Sequence, residues 1–257
     1  MCRRLAFRLL CGMVLLSPFA VPAADQGETF TVVTEPGVEI PVTRYQATGD
    51  VLLWLPSEAG LTASEIHIGA QLAAQGHEVW LADLHAGRFL PTVPSSLGKI
   101  PASDIAHLIE VVRERSGKSV CLVASGSLTG IVLQALLLPR KQGSVVDGVV
   151  LLSPNLYVTT PPPGNEAEYQ EVTYKTKLPI VILQPEQSPL RWRLELLQAA
   201  LEKGGSYVKV ALLSGVRDRF HLREDDPPAE RALADRLSGL VAQACRDIDQ
   251  IRMEGRK

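Results

Sequence analysis

The sequence predicts an α/β fold: a mostly parallel, doubly wound sheet of about eight strands, with helices on both faces and a minimal lid. Apolar runs of strand length alternate with runs of helical periodicity along nearly the whole chain. Strands that are separated by helices indicate a parallel sheet covered on both faces. Hydrophobic residues make up 46% and charged residues 21% of the chain, which is the composition of an ordinary globular protein.

The predicted elements follow one another without an internal repeat. A hairpin turns at Pro36-Gly37, Ser103 is predicted to cap a helix, and Gly117 to end it. The predicted strands are Phe30–Thr34, Val38–Arg44, Val51–Leu55, Val79–Ala82, a strand from Val120, Val149–Leu152, Ile180–Leu183 and Tyr207–Leu213. The other predicted helices are Ala63–Gln75, Ile131–Leu138, Leu190–Leu201 and Ala229–Ala244.

The N-terminus has the pattern of a secretory signal peptide over residues 1–23. Three arginines precede the apolar run Leu9–Phe19, and Val21-Pro22-Ala23 offers a cleavage site of small-x-Ala type. The run is too short to span a bilayer, so we expect no stable membrane span after cleavage. We therefore expect an exported protein, periplasmic or secreted, whose formal net charge changes from −2 to −5 when the three arginines leave.

The mature chain is predicted to form a single domain over residues 25–247, followed by a polar tail over residues 248–257. It keeps Cys121 and Cys245, which could pair although nothing in the sequence indicates it. Aromatic content of 5% and the lack of a basic stripe argue against nucleic acid as a partner. No histidine or cysteine pair has metal-ligand spacing and no phosphate-binding motif occurs, so we expect neither a metal nor a cofactor.

A strand-to-helix turn is the most informative motif. The apolar run from Val120 passes through Ser125-Gly126-Ser127 directly into a helical run, which is the layout of a nucleophile elbow. Ser127 is the favoured apex, because Gly130 then falls where the following helix must approach the sheet closely. The alternative register puts Gly126 at the apex and leaves no nucleophile.

The chain resembles the α/β-hydrolase superfamily across nearly all of its mature length. The order of elements matches, and Asp83-Leu84-His85-Ala86-Gly87 resembles the loop that follows the fourth strand in that superfamily. Pro179–Pro189 parallels the segment that carries the triad acid, and Gly215–His221 lies where the triad histidine stands. The resemblance implies an exported serine hydrolase that cleaves a carboxylic ester or related acyl bond of a small molecule.

The implied triad has Ser127 as nucleophile and His221 as general base, with an uncertain acid. Ser188 stands where the superfamily has aspartate, and Glu186 in the same loop is the candidate substitute. The acidic run that follows His221 offers further candidates, Glu224, Asp225 and Asp226.

The implied oxyanion hole uses backbone N–H groups of Ser57 or Glu58 together with that of Leu128, although the family's usual His-Gly is absent. His85 is predicted to line the cleft. The connection between Asn155 and Leu178 is long enough for a small lid only. These departures favour a competing interpretation, a catalytically inactive binding or scaffolding protein of the same fold. The residues do not determine the substrate or the oligomeric state, and an acetyl ester on a polysaccharide is a further alternative.

Overall fold

The computed structural model describes residues 27–34, 37–139, 146–162, 164–225 and 227–254. The predicted signal peptide therefore lies outside the described residues. Within these ranges, eight strands form one sheet in the order β1-β2-β4-β3-β5-β6-β7-β8. Strand β2 pairs antiparallel with β1 and β4, and all other neighbouring pairs are parallel. The strands are β1 Glu28–Thr34, β2 Val38–Tyr45, β3 Val51–Leu55, β4 Glu78–Ala82, β5 Val120–Ser125, β6 Val146–Leu152, β7 Ile180–Pro185 and β8 Val208–Leu213.

In the part of the chain that the structure describes, seven α-helices connect and cover these strands. They are α1 Ala63–Ala74, α2 Leu84–Gly87, α3 Ala102–Ser116, α4 Leu128–Leu137, α5 Leu194–Gly204, α6 Pro228–Ala234 and α7 Leu237–Glu254. Helices α3, α4 and α5 pack on one face of the sheet and α1 and α7 on the other, so the sheet separates two apolar cores. The predicted fold class is confirmed, because five neighbouring strands are buried over their whole length, as a doubly covered parallel sheet requires.

Three local predictions differ from the structure. Helix α3 begins after Pro101 and makes no side-chain cap, so Ser103 lies in its first turn. The predicted helix from Leu190 begins as a 3-10 turn, Pro189–Arg193, because Ser188 caps that turn through the N–H of Leu190. The predicted last helix is broken into α6 and α7. Helix α7 continues through Glu254, into the segment predicted to be a polar tail.

A disulfide between Cys121 and Cys245 joins β5 to α7. The two sulfurs belong to the core between the sheet and α7, and Cys121 and Val123 are buried as their central strand predicts. Within the described residues, no helix is long and apolar enough to cross a membrane.

Candidate active site

The site lies where the strand order reverses, at the carboxyl ends of β3 and β5. These two strands are parallel neighbours, while their chains continue to opposite sides of the sheet. Loops that leave such a point diverge and open a crevice, which is where α/β folds bind their ligands. The loop after β3 carries Ser57 and Glu58, and the turn after β5 carries Gly126 and Ser127.

Gly126, not Ser127, has the left-handed backbone of the turn. Gly126 has φ +58°, whereas Ser127 has φ −76° and ψ −15° and already follows the helical path into α4. The turn is fixed by the N–H of Gly126, which donates to Leu152 O at 3.1 Å, and by its carbonyl, which accepts from Thr129 Oγ1 at 2.7 Å. The backbone thus follows the alternative register, in which the residue at the apex has no side chain.

Gly130, the glycine that favoured Ser127 as the apex, lies against the side chain of Gln170. A Cβ on Gly130 would collide with the side-chain amide of Gln170, which reaches over from the connection after β6. Gly130 thus leaves room for the flexible end of the Gln170 side chain. Ser127 is half-buried, and its hydroxyl oxygen accepts a long hydrogen bond of 3.4 Å from Asn155 Nδ2.

The Glu58 side chain occupies the space above Gly126. A Cβ built on Gly126 would lie 2.7 Å from Glu58 Oε2. The other carboxylate oxygen, Oε1, accepts from Arg219 Nη1 at 3.0 Å, while Oε2 is buried and has no hydrogen-bond partner among the described residues. The sequence analysis used only the backbone N–H of Glu58 and made no prediction for its carboxylate.

The remaining oxyanion candidates lie beside this carboxylate. Ser57 is fully buried, and its hydroxyl accepts from the N–H of Ala59 within its own turn. Leu128 is the first residue of α4 and is buried in the core. With Gly126 at the apex, the N–H that follows the apex belongs to Ser127, one residue earlier than predicted.

His221 reaches the same end of the sheet from the loop after β8. It is 6% exposed, and neither ring nitrogen has a hydrogen-bond partner among the described residues. Burial lowers the pKa of His221 from its ordinary value to about 4. The ring therefore makes no hydrogen bond to Ser127, which a serine–histidine pair needs, and it is neutral near pH 7.

None of the described acid candidates contacts His221 through a hydrogen bond. Glu186 is exposed and accepts from the N–H of Gly215 at 3.0 Å, so it fixes the loop that leaves β8. Ser188 is used as the cap of the 3-10 turn, and Asp225 pairs with Arg223 at 3.0 Å. Asp226 lies outside the described residues, and no contact of Glu224 bears on the site.

His85 is buried in the short helix α2, near the loop after β3. Its Nε2 has no hydrogen-bond partner among the described residues. Burial lowers the pKa of His85, while the nearby Asp83 and Glu58 raise it to a smaller extent. Across the described residues, no cluster of three or more histidine, cysteine, aspartate or glutamate side chains could hold a metal ion.

The sequence analysis assigned no role to three residues of this site: Ser153, Asp218 and Arg219. Ser153 and Arg219 have left-handed backbones, φ +50° and +53°, which is uncommon for residues that carry a side chain. The Ser153 hydroxyl donates to Asp218 Oδ1, and Arg219 binds Glu58. Asp218 and Arg219 are an adjacent pair of opposite charges just before His221, which could have indicated a role at the site. Nothing in the sequence around Ser153 distinguishes that residue.

Comparison with solved structures agrees with this architecture. The chain has the α/β-hydrolase fold, as do esterases that share little sequence with it. It is similar to a brefeldin A esterase, a bacterial homologue of human hormone-sensitive lipase (TM-score 0.61, 17% identity, covering 88% of this chain and 80% of that one). It is also similar to an esterase of Pyrobaculum calidifontis (0.59, 16%, 85% and 87%) and to esterase 2 of Thermogutta terrifontis (0.60, 11%, 86% and 96%). No protein-family profile and no curated protein matches the chain.

Proposed function

We propose that this protein is an exported, non-hydrolytic member of the α/β-hydrolase fold that binds a small molecule at the turn after β5. One observation carries the proposal. Gly126 has the left-handed backbone of the apex, and the Glu58 carboxylate fills the space in which a nucleophile's side chain would begin. Without a hydroxyl or thiol at the apex, covalent catalysis of the serine-hydrolase kind has no attacking atom there.

The disulfide supports export. Bonds such as the one between Cys121 and Cys245 persist in oxidising compartments and are rare in the cytosol. The arginine-flanked apolar run at the N-terminus supports the same destination.

A second candidate is the hydrolase that the sequence suggested, with Ser127, His221 and Glu186 cleaving a carboxylic ester. It is favoured by the shared fold of the esterases and by the position of His221, which lines the same small cavity as the turn. It requires Ser127 and His221 to come together during turnover, since they make no hydrogen bond in this structure.

Turnover of short p-nitrophenyl esters separates the two candidates. The binding proposal expects the wild type to hydrolyse them no faster than Ser127→Ala and His221→Gln, because neither side chain serves a nucleophile. Glu171→Ala, which removes an exposed carboxylate paired with Lys175, is the matched surface control. A wild-type rate that drops a hundredfold or more in both site variants, but not in the control, would establish the hydrolase instead.

A further inference from the structure

Strand β8 is an edge of the sheet, and among the described residues it pairs with β7 alone. The backbone oxygens of Tyr207 and Leu213 point to β7, because they accept at 2.8 and 2.9 Å from N–H groups at its beginning and just after its end. Backbone groups of successive strand residues point to opposite sides, so every second residue between these two also bonds to β7. The N–H and C=O groups of Val208, Val210 and Leu212 therefore point to the open edge.

The edge lacks the features that usually keep an open strand from pairing. Proteins protect such strands with proline, charged side chains or bulges. Strand β8 has six residues, no proline and an unbroken register with β7. Its one charged side chain, Lys209, extends to α7 and donates to Asp247 at 2.8 Å. The open edge of β8 is thus a template for a further strand.

Exposed apolar side chains accompany this edge on the face that α5 covers. Leu212 is 43% exposed, and it lies on the same face as Val210, which packs against the core on the side of α5. Trp192 and Leu196 are 86% and 56% exposed, and they lie just before and within the first turn of α5. Because α5 begins at the carboxyl end of the sheet, all three side chains lie at that end. Exposed apolar residues grouped in this way are typical of interaction surfaces.

We propose that the β8 edge is a homodimer interface, in which a second copy of this chain adds its own β8 antiparallel across a two-fold axis. In one register Val210 faces Val210 of the second copy, and Val208 faces its Leu212. Each facing pair then exchanges two hydrogen bonds, so every backbone group that points to the edge is used. The two-fold contact is closed, because both copies contribute the same surface and none of it is left over.

The charges of α5 favour a second copy over an unrelated strand. Helix α5 packs on β8, so the two-fold axis sets α5 of the two copies antiparallel on one face of the joined sheet. Glu195 is in the first turn of α5 and Lys203 in the last, and both side chains are exposed. They lie four residues before and after Ala199, the middle of the helix. Antiparallel helices that meet at Ala199 place each Glu195 opposite Lys203 of the other copy.

Sedimentation velocity on the protein purified after export, with its disulfide intact, tests the inference at concentrations up to about 100 μM, a range in which specific interfaces associate. Val210→Pro removes an N–H that points to the edge and that the pairing with β7 does not use. Glu195→Lys and Lys203→Glu each set like charges against one another, and the combined variant restores opposite charges. Glu39→Lys, which makes the same charge change at an exposed position of β2, is the matched control.

The wild type and Glu39→Lys should form dimers with the same affinity. Val210→Pro should weaken dimerisation about tenfold or more, because two hydrogen bonds are lost at the two-fold axis. Each single charge variant should weaken it about tenfold, and the combined variant should return to within about twofold of the wild type.

A wild type that is monomeric at every concentration would overturn the inference and leave the edge to an extended segment of another protein. Dimers that are unaffected by Val210→Pro and by both single charge variants would place the interface elsewhere and would also overturn it. The inference concerns a surface away from the turn after β5, so ester turnover or its absence leaves it unchanged.

Discussion

Replacing Gly126 by alanine should lower the free energy of unfolding by about 2 kcal/mol. A side chain on a left-handed backbone such as φ +58° costs about 1–2 kcal/mol. The new Cβ would also lie 2.7 Å from Glu58 Oε2, so the carboxylate must move and weaken its half-exposed ion pair with Arg219. That pair contributes at most about 1 kcal/mol.

Urea unfolding of four proteins measures this cost: the wild type, Gly126→Ala, Ser127→Ala, and Gly126→Ala combined with Glu58→Ala. Ser127→Ala should stay within about 0.5 kcal/mol of the wild type, because its hydroxyl makes one long hydrogen bond and caps no helix. Gly126→Ala should lower the free energy of unfolding by less in the Glu58→Ala variant than in the wild type, because the new Cβ then has no carboxylate to displace. A harmless Gly126→Ala together with a costly Ser127→Ala would refute the assignment of Gly126 to the apex.

Three further predictions concern stability. Replacing Cys121 and Cys245 by serine should lower the free energy of unfolding by several kcal/mol. The disulfide closes a loop with a sequence separation of 124, and the loop-closure entropy that it removes from the unfolded chain is worth about 5 kcal/mol. An unchanged urea midpoint would contradict this prediction. Because the folded pKa of His221 is about 4, below its ordinary 6.5, the unfolded chain binds the proton first as pH falls. Stability should therefore decrease between pH 6.5 and pH 4, by about 3 kcal/mol from this group. His221→Gln should show a correspondingly smaller difference between urea midpoints at pH 7 and pH 4.5, and an equal difference would count against burial of a neutral ring. Glu186→Ala should cost no more than about 1 kcal/mol, because its exposed carboxylate accepts a single hydrogen bond from Gly215; a larger loss would indicate contacts beyond that one.

The fold could be predicted because its determinants are local and repeated. Apolar runs of strand length, such as Val51–Leu55, match the structure to the residue, since a strand buried on both faces must be apolar throughout. Gly117 ends α3 with φ +69°, as a helix-terminating glycine should. Each of these signals needs only neighbours in sequence.

The register of the turn could not be predicted in the same way. The order Ser125-Gly126-Ser127 fits two registers, and they differ by one residue in where the strand stops. The choice depends on partners that are distant in sequence, since the N–H of Gly126 bonds to Leu152 and its carbonyl accepts from Asn155 N at 3.1 Å. A glycine at the turn was the only local signal for a left-handed apex, and the preference for Ser127 set it aside.

The position of Glu58 and the anchoring of α6 also depend on contacts outside the local sequence pattern. The ion pair of Glu58 and Arg219 joins residues 161 positions apart, which no periodicity reveals. Helix α6 carries Glu230, which is buried against Arg217 at 2.8 Å and ties this short helix to the loop after β8. In the sequence, charged residues that form such ion pairs cannot be distinguished from ordinary surface charges.

The central claim is that a glycine stands where a serine hydrolase has its nucleophile. It is tested most directly by intact-protein mass spectrometry after incubation with a fluorophosphonate probe. The account predicts no mass increase for the folded wild type at any pH from 6 to 9, because the apex at Gly126 offers no activated hydroxyl. A stoichiometric adduct that peptide mapping assigns to Ser127, and that is lost in His221→Gln, would contradict it.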